Sequence, residues 1–204
     1  VSLTTTDYPG IDRLVTSIKE SQADWPLQIS LPSLRIDGFS LKLMESLRFT
    51  KKPGLTFAPE AGTERLRRVI NKSVSDDRII DTIGAAVEKG WSNIKLYFMI
   101  GLPTETEDDI RAIADIIARI RRGRKDSAPR VKLSVSPFVP KAHSPLQWVA
   151  QESQENLRLK LDELKRNLRA SRAQLSWENP ETSLLETVLS RGDRRLGEVI
   201  YQAW

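Results

Sequence analysis

Apolar residues run along this chain in two alternating rhythms. Short runs, VSLTT (1–5), LQISL (27–31), GLTFA (54–58), NIKLYFMI (93–100) and VKLSVS (131–136), read as strands that lead into polar, proline- or glycine-bearing turns. Between them the spacing shifts to three and four residues, which predicts helices near 10–21, 40–48, 63–71, 76–89, 106–122 and 153–173. That alternation predicts an α/β fold with a parallel sheet and crossover helices. Local signals agree with the helix starts and stops. Thr106 with Asp109 has capping-box spacing, Ser75 precedes Asp76 and Asp77, and Gly90 sits where a helix would stop. Leu157, Leu161, Leu164 and Leu168 form a stripe expected to pack into the core.

After Ser171 the rhythm changes. LSWENPE reads as a short extended piece and a turn, followed by helices over 181–190 and 194–204. The expected division is a core over 1–150 and a C-terminal helical extension over 151–204, with 174–204 an appendage rather than another strand–helix unit.

Composition narrows the chemistry. The chain has no cysteine and a single histidine, His143, which excludes disulfides, thiolate sites and multi-histidine metal sites built from its own residues. The apolar runs are too short to cross a bilayer and VSLTTTDYPG lacks a secretory pattern, so a cytoplasmic protein with no membrane partner is expected. Opening in a strand-like run without methionine suggests a piece of a longer protein. The net charge of +5 leaves nucleic acid as an alternative partner. Its densest cluster, Arg119 to Lys125, lies at a helix end, where cations are stabilising without any ligand.

In parallel strand–helix wheels, ligands bind where strands end and loops lead into helices. Glu60 and Glu105 each follow an apolar strand closely. Either could accept hydrogen bonds from ribose hydroxyls or an amine, or could simply favour the next helix start. His143 could face substrate or tie down its proline-bearing loop. The tryptophans, among them Trp148, Trp177 and Trp204, read as packing anchors rather than stacking platforms.

Several blocks resemble the radical S-adenosylmethionine (SAM) superfamily. GLTFAPEAGTERLRRVINKS (54–73) is similar to its fourth-strand segment and LYFMIGLPTETEDDI (96–110) to its fifth-strand signature. SLPSLRID (30–37) resembles the third-strand end of the cobalamin-binding subgroup, and SPFVPKAHSPLQW (136–148) and SRGDRRLGEVI (190–200) resemble later blocks of one member group. The resemblance implies a partial TIM-like (β/α)6 barrel whose first strand is missing, with the helical appendage behind it. It implies a SAM-binding enzyme with a [4Fe-4S] cluster on a CxxxCxxC loop and, in the subgroup, cobalamin. One-electron cleavage of SAM would then yield a 5′-deoxyadenosyl radical acting on an unknown substrate. Because that loop is absent here, the resemblance implies that an upstream domain of the same parent carries it and that this piece alone is inactive.

By position, the resemblance assigns Glu60 to SAM's ribose or methionyl end, Gly101 to close approach of the adenosine, and Arg35 to SAM's carboxylate. Asp7 falls near the loop that touches the SAM amine, and Glu105 is either a ligand or a helix-start residue. Two other readings compete: a basic nucleic-acid module, or an RNA-modifying relative, and a phosphate-binding barrel enzyme. The last lacks a glycine-rich phosphate loop.

Overall fold

A computed structural model describes residues 8–21, 54–122 and 128–204. Its elements are helix α1 (Ile11–Ser21), strand β1 (Leu55–Glu60), helices α2 (Glu64–Val69) and α3 (Asp76–Glu88), β2 (Asn93–Ile100), α4 (Glu107–Arg121), β3 (Arg130–Pro137), α5 (Gln154–Leu168), β4 (Gln174–Trp177), α6 (Pro180–Arg191) and α7 (Leu196–Ala203). The expected strands at 1–5 and 27–31 and the helix at 40–48 lie outside the described residues.

The four strands form one sheet in the order β1-β2-β3-β4, and every neighbouring pair is parallel. This is an α/β arrangement consistent with part of a TIM-like barrel wall. Alternation along each strand divides the sheet into two unlike faces. Leu55 and Phe57, Ile94 to Ile100 at every second position, and Val131, Leu133 and Val135 are buried against the helices. There they meet Ile79 and Ile83 of α3, Ile110 to Ile120 of α4, and the stripe Leu157, Leu161, Leu164 and Leu168 of α5. Burying side chains of this size contributes about 1.5–3 kcal/mol each, so this layer sets the sheet's position. The other face carries Thr56, Lys95, Tyr97, Lys132, Ser134 and Gln174, all partly or fully exposed.

The helix starts follow their sequence signals. The Thr63, Ser75 and Ser153 side chains accept from the N–H of the third residue of α2, α3 and α5, and the Thr106 N–H donates to the Asp109 carboxylate at 2.7 Å.

Two expectations need correction. The segment after Ser171 is not an appendage outside the sheet, because the short extended piece expected there, Gln174–Trp177, pairs in parallel with β3 from Lys132↔Gln174 to Val135↔Trp177. With α6 it forms a further strand–helix unit, so the sheet continues past residue 150. Nor do all the tryptophans anchor packing. Trp91 is buried, whereas Trp148 is 83% and Trp204 102% exposed. Trp177 is half-exposed with the Lys165 ammonium 4.4 Å from its ring centre. No described helix is long and apolar enough to cross a membrane.

Candidate functional site

Among the described residues, four of the five non-glycine residues in the left-handed region lie on the C-terminal side of the sheet; the fifth, Arg172, precedes β4 at the other end. The four are Glu60 (φ 72), Asn71 (φ 57), Thr104 (φ 65) and His143 (φ 62), and Gly101 (φ 76) joins them. Asparagine tolerates that conformation, but a β-branched threonine there is a genuine outlier. Such residues cost roughly 1–3 kcal/mol each and persist only where their surroundings hold them.

Glu60 ends β1 just after a bulge. Phe57 lies opposite Leu96 and Glu60 opposite Phe98, so β1 takes one residue more than β2 over the same length. The carboxylate meets the Lys72 ammonium at 3.0 Å, and Lys72 also donates to the Ala58 carbonyl at 2.5 Å. Both side chains remain about one quarter exposed. They stand in the wall of a cleft of about 450 Å³ over the ends of β1, β2 and β3, whose apolar lining includes Met99, Leu102, Phe138 and Leu146. Leu102 and Phe138 form a small second core with Ala61 and Leu66, which supports the cleft from below.

Gly101 and Glu105 lie at the same rim but turn toward the helices. A Cβ on Gly101 would come 2.8 Å from Leu157 and 3.0 Å from Glu152. Its freedom from a side chain therefore serves the approach of the β2 loop to α5. The Gly101 N–H donates to the Glu105 carboxylate at 2.7 Å, and Lys160 of α5 pairs with that carboxylate at 2.9 Å. The Glu105 side chain is only 1% exposed. Burial raises its carboxyl pKa, although Lys160 and the Gly101 N–H oppose the shift. Burial pulls the Lys160 ammonium down, but Glu105 and Glu152 outweigh it and hold it above its usual value. This is a closed polar latch. His143 is exposed, and its N–H donates to the Gln147 side chain. It does not line the cleft. Arg35 and Asp7 lie outside the described residues; of the described members of the set, Glu60 alone stands in the cleft wall.

Sequence reasoning missed the role of Arg67 and read Asp109 only as a capping-box partner. Arg67 is fully buried and donates to the carbonyls of Val74, Ala61 and Gly62 and to the Asp76 carboxylate, closing the loop after β1 over α2. Asp109, also buried, accepts from Thr63, Arg65 and Thr106 and joins the starts of α2 and α4. Burial would raise its carboxyl, but the hydrogen bonds from Thr63 and Thr106, then Arg65, hold it below its usual value. Lys72 did carry a signal, as the lysine that closes the 54–73 block.

A parallel strand–helix sheet with an apolar cleft and most of its strained residues on the C-terminal rim has the layout of barrel-type α/β enzymes. The model of the radical SAM superfamily matches residues 1–117, more than half of the chain, and the chain belongs to that superfamily. It is also 32% identical over 177 residues to an uncharacterized protein of Methanocaldococcus jannaschii. That alignment covers 87% of this chain and 38% of the relative, so the chain spans well under half of the relative's length.

The residues present fit the two family cofactors unequally. An apolar cleft with a carboxylate–ammonium pair in its wall suits a nucleoside that also carries amino and carboxylate groups. A [4Fe-4S] cluster is held by thiolates, and the chain has none. Among the described residues no group of three ligating side chains could hold a metal ion either. The chain's own residues do not fit the cluster.

Proposed function

We propose that this chain forms part of the core of a radical SAM enzyme and supplies one wall of the SAM pocket, at the cleft beside Glu60 and Lys72. The observation that carries this reading is the conformation of Glu60. A glycine would hold φ 72 at less cost, yet a glutamate stands there with its carboxylate in the cleft wall. SAM, when bound and reduced by a cluster, supplies a 5′-deoxyadenosyl radical. The work of these residues is to bind and orient it. The Glu60 carboxylate accepts hydrogen bonds from ribose hydroxyls or the methionyl amine, Lys72 holds that carboxylate in place, and Met99, Leu102 and Phe138 shelter the adenine from water.

The cluster, the substrate and any cobalamin belong to the longer protein of which we take this chain to be a piece, with its cluster loop upstream. The subgroup assignment rests on 30–37 and on the later blocks, of which the first lies outside the described residues. On this reading the isolated chain is not catalytically competent, and anaerobic incubation with iron and sulfide should give no stoichiometric [4Fe-4S] absorbance. A specific cluster on the cysteine-free chain would overturn that part.

The pocket is tested in the full-length protein. Glu60→Gln removes a charge-assisted hydrogen bond and should weaken SAM binding about ten- to a hundred-fold. Glu60→Gly should weaken it as much while matching or exceeding the parent in thermal stability, because it relieves the strained φ. Unchanged SAM affinity in both variants would remove Glu60 from the pocket.

A further inference from the structure

At the opposite, N-terminal end of the strands lies a second cleft of about 560 Å³. Its floor includes a row in register across all four strands: Thr56↔Lys95, Lys95↔Lys132 and Lys132↔Gln174. Adjacent strands are about 4.8 Å apart, so two lysines stand side by side on one face. Like charges placed directly opposite one another are destabilising. Arg121, Arg130 and Arg172 line the same cleft, and among the described residues no aspartate or glutamate lines it. The cations have little to balance them. Lys95 donates to the Tyr97 hydroxyl at 2.5 Å and Arg121 to the Pro129 carbonyl at 3.1 Å. None of the five forms an ion pair among the described residues, although the rest of the surface is laced with them.

We infer that this cleft is a binding site for the phosphate groups of a nucleotide-sized, multiply phosphorylated small molecule. A multivalent anion relieves the lysine–lysine repulsion, which no described group of the cleft does. Guanidinium forks match phosphate oxygens in pairs, and Thr56 and Gln174 offer neutral hydrogen bonds at the two ends of the row. The volume lies within the roughly 300–1,000 Å³ range of small-ligand pockets. A nucleic-acid track is the poorer match, because the cations gather in a concavity. The helix-end cluster that would extend such a track is partly neutralised, with Arg119 bound to Asp76 and Asp77. This site is separate from the SAM cleft and stands or falls without it.

Calorimetric titration of the full chain with tripolyphosphate, and in parallel with single-stranded oligouridylate, tests the inference. Saturable one-to-one tripolyphosphate binding is expected, weakening as salt rises. Lys132→Glu and Arg130→Glu, both on exposed side chains, should each reduce affinity by on the order of tenfold or more. Lys132→Gln should give a smaller loss, and Arg194→Glu, on the exposed turn before α7, none. Absence of saturable binding, equal binding by the charge-reversed variants, or tighter binding of the oligonucleotide than of tripolyphosphate would each overturn it.

Discussion

The C-terminal ends of β1 and β2, taken with the loops that follow, carry the same parts, a proline, a glycine and a glutamate, and use the glutamates in opposite ways. After β1, Glu60 stays at the cleft wall, partly wet, with Lys72 beside it. After β2, Glu105 turns back beneath Gly101 and is sealed with Lys160 of α5. The glycines, by contrast, serve alike, each letting its loop approach a helix. Gly62 abuts the start of α4, where a Cβ would fall 2.0 Å from the Asp109 carbonyl, and Gly101 abuts α5. One strand end leaves a charge at the cleft wall; the other uses a charge to fasten the sheet to its helix layer.

The strongest way to break that contrast is to remove each glutamate's lysine. Lys160→Ala leaves Glu105 buried without its cation and should cost about 3–5 kcal/mol, read from urea unfolding. Lys72→Ala removes a partly exposed pair and should cost about 1 kcal/mol or less from the pairing itself. Equal losses would show that the two loops do not differ in kind.

Gly101→Val should come next in size. Overpacking against Leu157 and Glu152 predicts a loss of about 1–3 kcal/mol, with further strain from the positive φ. If the variant is as stable as its parent and loses only SAM affinity, Gly101 serves the ligand and not α5.

The smallest effect is a pair of opposed pH dependences. Glu105 has its carboxyl raised in the fold, so its contribution is fullest below its unfolded value near 4.5 and is lost as pH rises through the higher folded value. Asp109 has its carboxyl lowered, so its contribution is present above about 3.8 and is lost as pH falls through the lower folded value. Glu105→Gln should therefore flatten the stability profile just above pH 4.5, and Asp109→Asn should flatten it below 3.8. Denaturation midpoints measured across that range decide both.

Period and capping made much of the described fold legible. Strands over 54–58, 93–100 and 131–136 and the α5 leucine stripe announce themselves because burial on one face forces repetition. β4 reads only as a short extended piece and not as part of the sheet, since QLSW is four residues long and partly or fully exposed throughout. It is a strand because β3 offers an edge, and the Ser176 hydroxyl adds a bond to the Leu133 carbonyl. The site was less legible than the fold. Arg65, Arg67 and Arg68 look interchangeable in ERLRRV, yet their side chains are 49%, 0% and 71% exposed. Only the phase of α2 against the carbonyls of Ala61, Gly62 and Val74 tells them apart. Glu60 and Glu105 are likewise equal in sequence, and loop direction alone separates them.

The bulge before Glu60 makes β1 a counting device. Three residues on β1 advance past two on β2, and that extra unit sets where the chain leaves the sheet. Substitutions at Ala58 or Pro59 change a side chain, but deleting either changes the count. Positions beyond it would then be handed to the opposite side of the strand until the turn at Thr63 absorbs the slip. Lengthening a surface loop costs little, about 0.6 kcal/mol per doubling. Here a single residue of length outweighs many changes of identity, so the number of residues between Phe57 and Thr63 is the tightest specification this segment carries.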